Sequence, residues 1–146
     1  MPEYLETKVD KFTFKVAVDR FYTPDGVWAL RLENTVRIGL SDFLQQRSGD
    51  IAFVDVKPEG TKLSAGDEAA SIETIKVNVN ITSPVGGTIT RVNPLVEAAP
   101  ETINQDPFGE GWLCEIEAAD WAADQKNLLE PAAYFAHMKQ AAENEA

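Results

Sequence analysis

The stretch Ala70–Asn80, ASIETIKVNVN, places a lysine between two short runs that both have the character of β-strands. After Lys76, the apolar residues Val77, Val79 and Ile81 recur at every second position. This spacing predicts a strand that buries one face, and the residues before Lys76 predict its partner strand. Lys76 is therefore predicted to occupy the tip of a β-hairpin, where its amine points away from the core and is accessible to a second protein.

Much of the remaining chain also predicts short strands separated by turns. Residues 12–18 and 27–32 have strand character. The Pro-Asp-Gly sequence within residues 22–26 predicts the turn between them. The sequence therefore predicts a mainly β fold.

Two further strands are predicted in the middle and towards the end of the chain. In residues 49–56, alternation places Ile51, Phe53 and Asp55 on one face. Residues 112–116 form the second apolar run and contain the single cysteine. Because this cysteine has no partner for an internal disulfide and its neighbours are apolar, we expect it in the core rather than at a reactive site.

Two helices are predicted to flank the strands. The first is short and lies near residues 41–47, with Ser41 as a candidate N-cap and a stop near Gly49. Residues 132–142 have high helix propensity and a modest apolar stripe, so this helix is expected to pack on the outside of the β core. The last residues, 143–146, are expected to fray.

The composition of the 146-residue chain limits its partners. It has 13 basic and 24 acidic residues, and the resulting net charge of −11 repels nucleic-acid phosphates and anionic membrane surfaces. No apolar run approaches the roughly 20 residues of a membrane span, and residues 1–6 lack the basic and apolar regions of a signal peptide. We therefore expect one cytoplasmic domain over residues 1–146 that binds neither nucleic acid nor membranes.

Side chains suited to catalysis or metal binding are scarce in the sequence. His137 is the single histidine, and it has no histidine or cysteine cluster with which to bind a metal ion. The glycine-rich segments at residues 86–87 and 109–111 lack the lysine and the following helix of a phosphate-binding loop. The sequence therefore predicts neither an enzyme nor a metal site.

The segments around Lys76 and further along the chain form a set of recognisable motifs. They are Val36–Phe43, Gly49–Val54, Ala65–Glu68, Glu73–Lys76, Ser83–Asn93 and Asn104–Leu113. Together these segments resemble the glycine cleavage H-protein family, with Glu73–Lys76 similar to its lipoyl attachment motif and Asn104–Leu113 the most specific match. The resemblance covers about residues 12–140, which separates the chain from the small lipoyl domains of dehydrogenase complexes. It implies a barrel-sandwich hybrid, which is a β-sandwich with peripheral helices.

The resemblance implies that Lys76 is joined to lipoic acid by an amide bond, within a motif formed by Glu73, Thr74, Ile75 and Val77. Lipoic acid supplies a dithiolane whose sulfurs accept electrons or a group by thiol–disulfide exchange. The chain would then be a non-catalytic carrier, with lipoate-protein ligase and dihydrolipoamide dehydrogenase among its partners. Biotin carriers share the fold but usually flank the lysine with methionines, whereas isoleucine and valine flank it here.

The resemblance also implies a cargo pocket beside the arm, formed by Asp25, Val27, Arg47 and Asn80. Glycine cleavage H-proteins have His-Glu before the tryptophan that resembles Trp28, and an aspartate four positions after the lysine. This chain has glycine and Val27 at the first place and Asn80 at the second. Two carboxylates that would stabilise a cationic aminomethyl cargo by roughly 1.5–3 kcal/mol each are therefore missing, although Asp25 offers one replacement.

These departures resemble the H-like lipoate-binding proteins of heterodisulfide-reductase-like sulfur oxidation, as does the run Glu73–Asn78. We therefore favour a carrier of sulfur or electrons that serves a heterodisulfide-reductase-like complex. The alternative is a glycine cleavage H-protein that carries an aminomethyl group from glycine decarboxylase to aminomethyltransferase. A second alternative is an unmodified interaction or regulatory module.

Overall fold

Eleven strands and five helices lie along residues 3–145, the part of the chain that the computed structural model describes. The strands are β1 (Tyr4–Val9), β2 (Phe12–Ala17), β3 (Phe21–Tyr22), β4 (Val27–Leu32), β5 (Thr35–Leu40), β6 (Ile51–Val56), β7 (Lys62–Leu63), β8 (Glu68–Thr74), β9 (Asn78–Thr82), β10 (Gly87–Val92) and β11 (Cys114–Ala118). The helices are α1 (Asp42–Ser48), α2 (Pro94–Ala98), α3 (Glu101–Gln105), α4 (Trp121–Gln125) and α5 (Pro131–Glu145). This confirms the mainly β fold with a short helix after Ser41 and a C-terminal helix. The predicted single domain over residues 1–146 includes residues 1, 2 and 146, which lie outside the described part.

Antiparallel pairing organises the strands into three sheets. The largest has the order β3-β4-β5-β11-β10-β7, the second has the order β6-β8-β9, and β1 and β2 form a separate hairpin. One hydrophobic cluster joins the two larger sheets through buried side chains such as Ile38, Ile72, Ile81 and Ile116. Because β8 and β9 each contribute to this cluster, the hairpin that holds Lys76 is anchored in the core.

Helix α1 begins and ends as its sequence predicts. The Ser41 hydroxyl accepts a hydrogen bond from the Leu44 N–H at 3.2 Å and so caps the first turn. The helix ends at Gly49, whose φ of 89° lies in the left-handed region that favours glycine. A Cβ atom on Gly49 would lie 3.0 Å from the Lys76 Cε, so the end of α1 packs directly against the lysine side chain.

Strand β6 departs from the predicted alternation. Ile51 pairs with Thr74, but Phe53 pairs with Glu73, so one extra residue between them forms a β-bulge. Ile51 is buried, whereas Phe53 is 67% exposed. The prediction that Ile51, Phe53 and Asp55 share one face is therefore wrong, because the bulge reverses the alternation after Ile51.

Two predicted boundaries also shift in the structure. Tyr22 belongs to β3 rather than to the following turn, and its ring is fully buried. The strand predicted at residues 112–116 begins only at Cys114, because the Trp112 N–H still donates to the carbonyl of Gly109 in the preceding turn. Cys114 itself is buried, as expected.

Helix α5 packs its apolar stripe against β1, β2 and β3. Its buried face includes Tyr134, which stacks on Tyr22 with ring centroids 4.4 Å apart and donates to or accepts from the Ser41 hydroxyl at 2.8 Å. The helix continues to Glu145, whose carboxylate lies 3.1 Å from the Arg47 guanidinium. The prediction that residues 143–146 fray is therefore wrong for 143–145, and residue 146 lies outside the described part.

The hairpin of β1 and β2 adds an element that the sequence did not predict in full, since only β2 was expected. Its register runs from Tyr4 opposite Ala17 to Val9 opposite Phe12. Helix α1 holds it in place through the Lys15 N–H, which donates to an Asp42 carboxylate oxygen at 2.9 Å. None of the helices within residues 3–145 is long and apolar enough to cross a membrane.

Candidate functional site

The hairpin tip between β8 and β9 is shaped by Thr74. The Thr74 N–H donates to the Val77 carbonyl at 2.9 Å and closes the turn. The Thr74 hydroxyl oxygen accepts hydrogen bonds from the backbone N–H groups of Lys76 at 3.2 Å and Val77 at 3.0 Å. Thr74 is buried, so the tip is a defined turn rather than a loose loop.

Lys76 lies at this tip, as predicted, and its side chain is exposed. Its neighbours Ile75 and Val77 are 97% and 45% exposed, and Glu73 is exposed as well. The predicted burial of Val77 is wrong, because β9 starts only at Asn78 and burial increases along it from Val79 to Ile81. Glu73, Ile75 and Val77 therefore lie at the surface with Lys76, whereas Thr74 is buried beneath the tip.

Within the described part of the chain, the Lys76 amine forms a single, long hydrogen bond. Its Nζ atom donates to the Arg47 carbonyl at 3.4 Å, at the end of α1. Within residues 3–145, no carboxylate oxygen lies within 4.0 Å of this nitrogen. An amide at this position would therefore break no ion pair and bury no charge, so the site fits an acylated lysine.

The four residues predicted to form a cargo pocket lie together. Asp25, Val27, Arg47 and Asn80 all line one cleft of about 390 Å³ between the start of β4, helix α1 and strand β9. Val77 also lines it, so the cleft opens beside the hairpin tip. Among its lining residues, Asp25 supplies the carboxylate and Arg47 the guanidinium.

The other candidate groups do not contribute to this site. Burial, with a smaller effect from the Glu115 carboxylate, raises the pKa of the Cys114 thiol to about 12, which makes it a poor nucleophile. His137 is exposed on α5. Among the described residues, no group of three or more histidine, cysteine, aspartate or glutamate side chains is arranged to hold a metal ion.

Comparison with known proteins identifies the relatives of this chain. The family model described as Glycine cleavage H-protein matches residues 20–141. The chain belongs to the glycine cleavage H-protein family. H-proteins are non-catalytic carriers that hold lipoic acid on a lysine, so the carrier prediction is confirmed at the level of the family.

Individual H-proteins are similar to this chain over most of its length. The glycine cleavage system H protein of Salinibacter ruber is 45% identical over 121 residues, which cover 82% of this chain and 95% of that protein. The protein of the same description from Bacteroides fragilis is 42% identical over 116 residues, covering 79% of this chain and 90% of that protein. These descriptions support our alternative hypothesis better than the sulfur-oxidation hypothesis, which gains no support from them.

A solved structure confirms the H-protein fold. The crystal structure of a glycine cleavage system H protein from Mycobacterium marinum matches with a TM-score of 0.77 and 28% sequence identity, covering 83% of this chain and 97% of that chain. The matched family model begins at residue 20, after the hairpin of β1 and β2. That hairpin therefore lies outside the matched residues.

Sequence reasoning missed two features of the site. The turn-shaping role of Thr74 was not inferred, although a threonine two residues before the tip is a common turn signal. The packing of Gly49 against Lys76 was missed as well, because these two residues are 27 positions apart in the sequence. No local pattern reports such a contact.

Proposed function

We propose that this chain is a lipoyl carrier with lipoic acid on Lys76, and that it carries an aminomethyl group between the enzymes of glycine cleavage. The observation that supports this most directly is the exposed Lys76 amine, which has no carboxylate partner within residues 3–145, at the tip of a hairpin anchored by the core. The names of relatives up to 45% identical support the glycine cleavage role. When attached, lipoic acid would supply a dithiolane that accepts a group by thiol–disulfide exchange.

The chain's own residues would present the arm and screen its cargo. Thr74 holds the backbone of the tip, so a modifying enzyme meets the amine in a fixed position. In the adjoining cleft, Asp25 can accept a hydrogen bond from a cationic amine, which is the chemistry that an aminomethyl cargo requires. The tether raises the effective concentration of the arm at each partner without a permanent complex.

A second candidate function is the carriage of sulfur or electrons for a heterodisulfide-reductase-like complex. The observation that favours it is the composition of the cleft, where Val27 and Asn80 replace two carboxylates and Arg47 adds a positive charge. Such a cleft suits a neutral or anionic sulfur cargo better than a cleft lined by several carboxylates. Lipoate-protein ligase and dihydrolipoamide dehydrogenase would be partners in either case.

Intact-mass analysis tests the carrier function. We expect the protein from its native host to be heavier by one lipoyl amide, and Lys76→Arg to lose this adduct while retaining its fold. An unmodified native protein in a host that contains the ligase would contradict the proposal and favour an interaction or regulatory module.

Single-turnover loading then tests the cargo. The lipoylated protein is mixed with glycine and glycine decarboxylase, or with a heterodisulfide-reductase-like complex and a reduced sulfur substrate. An aminomethyl adduct on the arm supports glycine cleavage. A sulfur adduct, formed without an aminomethyl adduct in the parallel reaction, would overturn it.

A further inference from the structure

The segment Asn104–Leu113 carries the most specific match to the family, yet none of its residues lines the cargo cleft or the pocket around the Lys76 side chain. Its first residue, Asn104, belongs to α3 and is half-buried. Helix α3 packs against both α1 and β6, which follow one another in the chain and lie next to the hairpin tip. Asn104 is therefore placed to join these two elements.

The Asn104 side chain bridges α1 and β6 with both atoms of its amide. Its Oδ1 atom accepts a hydrogen bond from the Ile51 N–H at 3.0 Å. Its Nδ2 group donates to the Gly49 carbonyl and to the Gln45 Oε1 atom, both at 3.0 Å. One side chain therefore binds the loop between α1 and β6 at both of its ends.

Both ends of this loop contact the hairpin tip. Ile51 pairs with Thr74, whose hydroxyl oxygen accepts from the N–H groups of the tip. Gly49 lies against the Lys76 side chain, because a Cβ atom on this glycine would be 3.0 Å from the Lys76 Cε. The Lys76 amine donates to the carbonyl of Arg47, two residues before Gly49. The hydrogen bonds of Asn104 are therefore separated from the lysine by one residue on each side.

The loop needs this support because its own backbone provides little restraint. Gly49 adopts a φ of 89°, and glycine has a wider range of backbone conformations than other residues. The β-bulge that follows Ile51 also interrupts the pairing of β6 with β8 directly after the first residue pair. The three hydrogen bonds of Asn104 therefore restrain the chain where the helix has ended and the regular strand pairing has not yet begun.

We propose that Asn104 is a positioning residue for the lipoylation of Lys76. It acts through Gly49 and Ile51 and holds the end of α1 and the hairpin tip in one relative arrangement. A lipoate-protein ligase that approaches the lysine meets these two elements together, so their arrangement determines how the amine is presented. The inference rests on the proposed lipoylation of Lys76.

Steady-state kinetics of a lipoate-protein ligase on the full-length, unlipoylated protein test this role. Asn104→Ala removes all three hydrogen bonds. We expect the KM for the protein substrate to rise on the order of fivefold and kcat to change by less than about twofold, because the amine is unaltered and only its presentation is disturbed.

Asn104→Asp is the milder variant and keeps the test valid if the alanine variant does not fold. Its carboxylate still accepts from the Ile51 N–H but cannot donate to Gly49 or Gln45. We expect a rise in KM of about twofold or more. An unchanged KM in the folded Asn104 variants would overturn the proposal.

Asn93→Ala is the matched control, because Asn93 also forms three hydrogen bonds but binds the far end of the same segment. Its Nδ2 group donates to the carbonyls of Glu110 and Trp112 at 2.8 Å, and its Oδ1 atom accepts from the Leu95 N–H at 3.0 Å. We expect Asn93→Ala to lower the urea midpoint of unfolding while KM stays within about twofold of the wild type. A rise in KM equal to that of Asn104→Ala would show that KM follows stability and would overturn the proposal.

Amide hydrogen exchange gives a second measurement, which needs no ligase. Asn104→Ala should accelerate exchange at the Ile51 N–H, which loses its acceptor, and at the Lys76 and Val77 N–H groups of the tip. Unchanged exchange at the tip would overturn the proposal. A wild-type protein that is not lipoylated would overturn the proposed function together with this role, whereas a lipoylated wild type and an unchanged KM in the Asn104 variants would overturn the role of Asn104 alone.

Discussion

The hydroxyl oxygen of Thr74 accepts a hydrogen bond from the backbone N–H of Lys76 at 3.2 Å. The same oxygen accepts from the Val77 N–H at 3.0 Å, so one buried side chain determines the backbone at the hairpin tip. The Lys76 amine itself forms one long hydrogen bond, to the Arg47 carbonyl at 3.4 Å. The hydrogen bonds of Thr74 therefore define the turn while the lysine side chain stays exposed, which is the combination that a modifying enzyme requires.

Replacing Thr74 with valine should loosen the tip without changing the size of the side chain. We expect a loss of about 1–2 kcal/mol in the free energy of unfolding, because the hydrogen bonds of the turn lose their acceptor. The catalytic efficiency of lipoate-protein ligase on the variant should fall. Thr74→Ser keeps the hydroxyl and serves as the control, and equal ligase kinetics for the two variants would contradict this role of Thr74.

The buried thiol of Cys114 should not react in the native protein. With its pKa raised to about 12, the thiolate fraction at pH 8 is about one part in ten thousand, even before access is considered. Iodoacetamide labelling of unlipoylated protein, followed by mass, should therefore proceed only in denaturant. Complete labelling under native conditions within minutes would contradict the burial of this side chain.

Restoring the two missing carboxylates of the cargo cleft by substitution should have different effects at the two positions. Asn80 is exposed, so Asn80→Asp should raise aminomethyl loading by about 1.5- to 5-fold, the range that a solvent-screened charge pair of 0.2–1 kcal/mol gives. Val27 is buried, so Val27→Glu should destabilise the fold by several kcal/mol. Loading kinetics and urea unfolding measure the two effects. Asp25→Asn should lower aminomethyl loading. Unchanged loading in both Asn80→Asp and Asp25→Asn would contradict the electrostatic argument.

Gly39 should not tolerate a larger side chain, because it lies beneath the ring of Trp28. The two residues are paired across β4 and β5, and a Cβ atom on Gly39 would lie 2.5 Å from Trp28 Cζ2. We expect Gly39→Ala to lower the free energy of unfolding by about 1–3 kcal/mol, measured by urea denaturation. Gly86→Ala is the control, since its nearest contact would be 3.4 Å. Equal unfolding midpoints would contradict the close packing on Trp28.

Local sequence patterns were sufficient for elements whose signals lie within a few residues. The cap at Ser41, the stop at Gly49 and the hairpin tip at Lys76 all follow from short-range chemistry. The bulge in β6 does not, because it depends on how β6 pairs with β8, and this turned Phe53 outwards. The N-terminal strand was missed because its residues alternate only between exposed and half-buried positions.

The candidate site likewise depends on tertiary contacts that local sequence patterns do not predict. Asp25 and Val27 lie far from Arg47 and from Asn80 in the sequence, and the family resemblance rather than any spacing brought the four together as a prediction. The groove between the β1–β2 hairpin, helix α1 and helix α5 could not be predicted in this way, because the match to the family begins only at residue 20. Its walls come from three elements whose packing depends on the tertiary structure.

The ion pair between Arg47 and Glu145 has a practical consequence for work on this protein. Any affinity tag or reporter fused shortly after helix α5 would start near Glu145, which lines a groove together with Lys76. A fusion there would compete sterically with every enzyme that must approach the lysine. Cleavable tags, removed before kinetic measurements, avoid mistaking such crowding for a property of the carrier.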